Sequence, residues 1–346
     1  MDTAAADPPC GLPGCDGPSP GCGACGCVRR PCGACPVRCC RRDDRDVWLA
    51  DVGGSLDLDD VPWPAAPRPS DDLPDLIPVL GGGRFAPAPR WPAVGVRWDR
   101  VLGDGLWQDA RETPLPPPRP GRIAPIQRRW LAGDPAMAAG VAPGTPVVAS
   151  LVGPDPVIEG LWTYQWHAGI YPALARAGFA AVVGPNYSLY GDQPRFEHRL
   201  NIKRSLLAAA RMRAAGVPAV PHVYVWRASD GDAVAAWAAG VGLDAVAVNS
   251  QTFRAPGEWE QALARYLHLR DRMPAGIRWW FIGVSTRDRV RTLRGLFPGC
   301  RILTVDPYEL AAHGRRLIPD GQRVRWPARP ADLLAENIRV MGEWIH

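Results

Sequence analysis

From residue 146 onward the chain repeats one unit: a short, unbroken apolar run rich in β-branched residues, then a segment of helical periodicity. The runs occupy residues 146–152, 180–183, 219–226, 245–248, 279–284 and 301–305. A strand that is apolar along its whole length, rather than at alternate positions, is covered on both faces, as in a parallel sheet flanked by helices. The segments 167–177, 197–215, 230–239, 258–272 and 287–297 read as the intervening helices, with Gly178, Gly216 and Gly299 where three of them stop. A further helix begins at Ala331. Two earlier apolar runs, 76–80 and 93–98, bring the candidate strands to eight.

Eight is the number that closes a (β/α)8, TIM-like barrel. The piece between Leu80 and Ala93 is too short for a crossover helix, so the first units are expected to be degenerate. The alternative is an open doubly wound sheet. The expected organisation is a Cys-rich metal-binding segment at 1–45, a linker at 46–75 and the α/β barrel domain at 76–346. Most of the 39 prolines and 37 glycines fall before about residue 145, and the stretch 114–120 is a stiff extended spacer.

Nine of the ten cysteines lie between Cys10 and Cys40; Cys300 stands apart. No run approaches the ~20 apolar residues that cross a bilayer, and the first residues lack the pattern of a secretory signal. The expectation is a cytoplasmic protein with no membrane association, and in a reducing compartment clustered thiols favour metal over disulfides. Cys22, Cys25, Cys32 and Cys35 make two CxxC knuckles, the language of a zinc site with four thiolates. Cys27, Cys32 and Cys35 with Cys39 or Cys40 match plant-type [2Fe–2S] spacing. Nine thiols with no nearby histidine exceed what one zinc needs, which favours iron–sulfur over zinc. The bland alternative is a low-complexity tail whose cysteines do nothing.

Of the 40 basic residues only Lys203 is lysine; the other 39 are arginine, and the formal net charge is +5. Arginine at this density, with Ala, Gly and Pro, reflects a GC-rich coding sequence, so abundance alone says little about a polyanionic partner. Two basic stretches stand out, 287–301 and 313–329, the second holding Arg315, Arg316, Arg323, Arg325 and Arg329. Each is either a solvated helix face or a patch for an anionic ligand such as DNA or RNA.

Both architectures place ligand chemistry at the carboxyl ends of strands. Residues there are Asn186, Tyr187 and Ser188 after the 180–183 run, then Trp226, Asn249, Ser285 and finally Asp306. The chain has four asparagines; Asn186 and Asn249 directly follow strands and Asn201 opens the next helix. An amide both donates and accepts, so two facing one pocket point to a planar polar group such as a nucleobase, although Asn also suits loops and caps. Trp226 near a strand end could stack on a base, but with 15 tryptophans core packing is the ordinary role for any one of them.

On a helical wheel Lys203 falls in the apolar arc of Leu200, Leu206, Leu207, Ala210 and Ala214, and is expected to point toward the sheet. There it would serve as base, amine nucleophile or anion clamp, unless it merely snorkels. His198 and Asp192, with Arg195 and Glu197 between them, make 184–204 the densest polar constellation and a possible acid/base source. His222, inside a strand, is expected to be a hydrogen-bonded core histidine. Asp306 is either a strand-end nucleophile or base, or a turn former before Pro307.

The stretch Gly184-Pro-Asn-Tyr-Ser-Leu-Tyr-Gly-Asp-Gln-Pro-Arg-Phe, with the helix start Asn201–Arg204 and Val217-Pro-Ala-Val-Pro-His-Val-Tyr-Val-Trp, resembles an uncharacterised domain family common in phages, plasmids and actinobacterial genomes. The likeness covers about residues 145–300 and implies a mobile-element setting but no activity. More loosely, Phe281-Ile-Gly-Val-Ser followed by Thr304-Val-Asp306 looks like the last two strands of the tRNA-guanine transglycosylase barrels, in which the final aspartate would be the nucleophile. The chain lacks their Asp-Ser-Gly-Gly-Phe-Gln motif and their C-terminal zinc motif.

The leading expectation is a nucleic-acid- or nucleobase-modifying barrel enzyme, a transferase or hydrolase, with a metal-bound N-terminal module. A carbohydrate-active hydrolase using two of Asp155, Glu159, Asp192, Glu197 and Asp306 is one alternative. A non-catalytic replication or regulatory protein is the other.

Overall fold

The computed structural model describes residues 42–81, 91–97, 101, 130, 133–153, 158, 161–162, 169–189, 195–251, 253 and 257–345. All eight expected strands are present: β1 (Leu76–Leu80), β2 (Val94–Arg97), β3 (Val147–Ser150), β4 (Ala181–Val183), β5 (Ala219–Val220), β6 (Ala245–Asn249), β7 (Arg278–Ile282) and β8 (Arg301–Thr304). Every pairing among them is parallel, in the order β5-β4-β3-β2-β1-β8-β7-β6. The two ends of that order meet through a parallel bridge between His222 and Ala247. There the Val223 amide donates to the Ala247 carbonyl at 2.8 Å, and the Ala247 amide to the Pro221 carbonyl at 2.9 Å.

The result is an α/β fold whose eight-stranded sheet is barrel-like and nearly closed, consistent with a TIM-like barrel. Each strand lies beside its neighbour in sequence, and β1 lies against β8, so no topological switch point exists. The doubly wound alternative is thereby corrected. The weak join has a chemical cause. Pro221 has no amide hydrogen, so the ladder after Val220 loses a donor, and the expected 219–226 strand shrinks to two residues and a bridge.

Helices cover the outside: α1 (Arg42–Asp51), α2 (Pro135–Ala139), α3 (Ile170–Ala177), α4 (Arg195–Ala214), α5 (Ala228–Val241), α6 (Glu258–Arg270), α7 (Arg287–Leu296), α8 (Asp306–Ala312) and α9 (Pro330–Ile345). Alternation along the strands divides the core. Ile77, Val79, Val148, Val183, Val220, Ala247, Trp280 and Leu303 pack inside the sheet, while Val94, Val182, Val246, Phe281 and Ile302 pack outward against helices. No described helix is long and apolar enough to cross a membrane.

Two expectations about the flanks are corrected. Residues 46–75 are not a tether: Val52, Leu56, Leu58 and Val61 are buried, forming a belt across α4 and α5. Trp237 Nε1 donates to the Val61 carbonyl at 3.0 Å, Arg213 Nε to the Pro64 carbonyl at 2.9 Å and Arg301 Nη2 to the Asp71 carbonyl at 2.8 Å. The basic stretch 313–329 is not a helix face. It forms an antiparallel ribbon of β9 (Arg315–Leu317) and β10 (Arg323–Arg325), too short and too charged to show the apolar signature of a strand.

Candidate functional site

A cavity of about 740 Å³ opens at the carboxyl end of the barrel, large enough for a nucleoside-sized molecule. All eight strands or the loops after them contribute to its wall. Val79, Ile282, Leu303 and Val305, from the β1, β7 and β8 side, make an apolar arc. Opposite them, from β2 round to β6, stand Arg97, Ser150, Asn186, Ser188, Tyr224, Trp226 and Asn249. Period-two alternation explains the inward set. Arg97 and Ser150 follow the inward positions of their strands, and Asn249 follows Ala245 and Ala247.

The two asparagines differ in how far their amides are committed. Asn249 Oδ1 accepts from the Gln251 amide at 2.9 Å, and a backbone N–H requires an oxygen opposite it, which settles the rotamer. Its Nδ2 then makes no hydrogen bond among the described residues. The backbone carbonyl of Asn249 accepts from the Tyr266 hydroxyl at 2.7 Å, so a buried phenol holds the strand end in place. Burial pushes that phenol's pKa upward and keeps it a neutral donor. Asn186, buried like Asn249, donates from Nδ2 to the Tyr224 hydroxyl at 3.2 Å, while its Oδ1 is withdrawn from solvent with no partner. A hydroxyl can donate or accept, so turning the amide over exchanges the roles. Either way one polar atom of Asn186 is left for something in the cavity. A buried amide atom without a partner costs about 1–3 kcal/mol.

Glu258, Ala262, Arg265 and Tyr266 recur at helical spacing along α6 and put one face of that helix into the cavity wall. The Arg265 guanidinium lies 4.6 Å above the Trp226 ring, and partial burial pulls its pKa below the usual arginine value. Trp226 is itself held from behind. Asp230 accepts from the Trp226 and Arg227 amides at 3.0 and 2.8 Å and pairs with the buried Arg195. Past β7, Gly283 has φ +81°, and a Cβ there would lie 1.8 Å from Gln251 Cγ, so only glycine lets the Asn249–Gln251 loop close over the strand end.

The structure gathers four of the sequence-derived candidates, Asn186, Ser188, Trp226 and Asn249, around this cavity. Others are placed elsewhere. The Lys203 side chain is fully buried but turned to the belt, not the sheet: Nζ sits 2.6 Å from Asp60 Oδ1 and 2.9 Å from the Ser55 carbonyl. Its expected orientation is corrected, because the apolar arc of α4 packs under the 52–61 belt as well as on the barrel. Asp306 follows the cavity residue Val305, but its carboxylate pairs with Arg323 at 2.6 Å. Burial raises its pKa and Arg323 opposes that rise. Tyr187 is buried outside the barrel beneath the Arg204 guanidinium, 4.1 Å from its ring centre. Asn201 braces the loop, donating to the Ser188 carbonyl at 2.9 Å and accepting from Arg204 at 3.0 Å. His198 is buried with its ring 5.1 Å from that of Trp226, and the Ser285 carbonyl accepts from Arg323 at 3.4 Å. Asp192, Asp155, Glu159 and the cysteines Cys22, Cys25, Cys27, Cys32, Cys35 and Cys39 lie outside the described residues. Among the described residues no group of three or more His, Cys, Asp or Glu side chains is placed to hold a metal ion.

Among the cavity residues not singled out from the sequence are the polar Arg97, Ser150, Tyr224, Gln251, Glu258, Arg265 and Tyr266. The helical stripe on α6 was the available signal, but period 3.6 alone does not say which helix face meets the open end of a barrel. His222 also departs from expectation. It is fully buried, its ring is 4.7 Å from that of Tyr224, and neither ring nitrogen has a hydrogen-bond partner. Desolvation pushes its pKa down to about 3, so it stands as a neutral imidazole one residue before the cavity-lining Val223.

No protein-family model matches the chain, and no curated protein matches it.

Proposed function

We propose that the barrel is a nucleobase-modifying enzyme and that the base enters the cavity between Asn186 and Asn249. The observation that carries this reading is the pair of uncommitted amide atoms in a buried, half-apolar cavity. Asn249 offers a donor of settled orientation, and Asn186 offers a donor or an acceptor according to how its amide turns. The edge of a purine or pyrimidine presents that mixture of donors and acceptors in one plane, and the apolar arc opposite suits its face. Glu258 is the one carboxylate lining the cavity among the described residues, and we assign it the acid/base role.

The glycosidase alternative needs two carboxyl groups about 5–9.5 Å apart across a cleft. Of its candidates within the described residues, Glu197 is buried on α4 and Asp306 faces Arg323, and neither lines the cavity. The nucleobase reading is the better supported. Equilibrium titration of free bases and nucleosides into the full chain tests it. Saturable binding of at least one base, lost in Asn249→Leu and in Asn186→Leu, is expected; a glycan that binds where no base does contradicts it.

A further inference from the structure

The β9–β10 ribbon stands at the same end of the barrel as the cavity. Arg323 Nη2 reaches the Ser285 carbonyl at 3.4 Å and Asp306 Oδ2 at 2.6 Å, in the segments that follow β7 and β8. Ile282 and Val305, which lead into those segments, line the cavity. The ribbon is also built rigidly. The fully buried Asn337 uses both ends of its amide on it and its surroundings, accepting from the Leu317 amide at 2.7 Å and donating to the Arg315 carbonyl at 3.1 Å and the Pro307 carbonyl at 3.3 Å. Trp344 Nε1 fixes the turn by donating to the Pro319 carbonyl at 3.1 Å.

Residues 315–329 hold five arginines against one carboxylate, Asp320. Three of the five are neutralised within the fold: Arg316 by Glu336, Arg323 by Asp306 and Arg329 by Asp332. Arg315 and Arg325 are not. They are direct cross-strand partners, both exposed, and neither has an ionic or hydrogen-bonding side-chain partner among the described residues. Like charges placed directly opposite across a ribbon are destabilising, so the fold carries a repulsion that nothing inside it relieves. On the opposite face of the ribbon, with Arg316 and Val324, Trp326 is 48% exposed and the Arg316 guanidinium lies 4.9 Å above its ring. Arg315 and Arg325 share their face of the ribbon with Arg323, which reaches the segments beside the cavity, so the unrelieved pair is placed to hold a sugar–phosphate backbone there.

We propose that this ribbon docks single-stranded nucleic acid beside the cavity, so that the substrate is a nucleotide within a polymer and not a free base or mononucleotide. This rests on the reading of the cavity as a base site and adds the polymer to it. A base has to leave the stack to reach such a pocket, and a single strand presents it already unpaired.

The test is fluorescence anisotropy with a short single-stranded oligonucleotide, on the full chain and on the Arg315→Gln/Arg325→Gln variant, with nucleoside titration of each protein in parallel. The parent should bind with an affinity that falls steeply with salt. The glutamine pair should weaken binding at least tenfold and make the log–log salt slope shallower by roughly 1.4, for two phosphate contacts on a single strand. Nucleoside binding should be unchanged in the glutamine pair, which should melt no lower than the parent, because a repulsion has been removed. Oligonucleotide affinity equal to the parent's in the glutamine pair overturns the proposal. So does preference for anionic vesicles over the oligonucleotide. Oligonucleotide binding that the pair weakens, in a protein that takes no nucleoside, supports the ribbon and sinks the base site.

Discussion

At the residue scale the central case is Asn186, whose buried amide keeps one atom unsatisfied. Leucine keeps the branched shape and removes that cost, while adding some volume and losing the bond to Tyr224, so Asn186→Leu should fold about as well as the parent, within about 1 kcal/mol in urea titration, while losing base binding. A variant that loses both stability and binding would make Asn186 a structural residue. His222 gives a second test. Its ring stays neutral in the folded chain down to about pH 3, whereas the unfolded chain protonates it near 6.5. Between those values the unfolded state binds the extra proton, so stability falls as pH drops through the window, by about 1.4 kcal/mol per pH unit. His222→Phe should flatten the stability–pH profile between about 6.5 and 3 relative to the parent; an unchanged slope would mean the ring finds a proton acceptor in the fold. Asn186 and Asn249 were legible in the sequence because asparagine is scarce here and both directly follow strands. The missing partners of His222 were not, since alternation assigns a side chain to the barrel interior without saying what meets it there.

At the element scale the belt and α4 are joined by an ion pair that is lopsided in burial: Lys203 is fully enclosed, and the Asp60 side chain is 47% exposed. Removing the carboxylate strands an ammonium with only the Ser55 carbonyl, which should cost about 3–5 kcal/mol in Asp60→Ala. Removing the amine leaves a carboxylate that water can solvate, so Lys203→Met should cost less than half as much and leave base binding intact. Denaturant melts that order the two variants the other way would contradict the placement of Lys203. The wheel for α4 found the apolar arc but not its two neighbours. Helical periodicity identifies a covered face, and here the belt, too proline-rich to read as structure, covers part of it. The ribbon was hidden for a different reason. Its strands are three residues long and read Arg-Arg-Leu and Arg-Val-Arg, so neither apolar run nor period separates them from a solvated helix.

At the scale of the whole molecule, eight apolar runs were enough to find the sheet, because parallel strands covered on both faces leave the plainest mark a sequence can carry. Whether the sheet closed was not legible, since closure depends on one bridge at His222–Ala247 next to a proline. The cysteine segment lies outside the described residues, and its metal stands as a proposal on spacing alone. Anaerobically purified protein should carry iron and sulfide and absorb at roughly 400 nm, and chelation should bleach it; stoichiometric zinc in a colourless protein would replace the cluster with a structural clip. The most direct test of the account is a crystal structure of the chain soaked with the tightest-binding base or nucleoside. It should show planar density at the carboxyl end of the barrel within hydrogen-bond distance of Asn249 Nδ2 and the free amide atom of Asn186. Density elsewhere, or a ligand that leaves both amides unpaired, would contradict it.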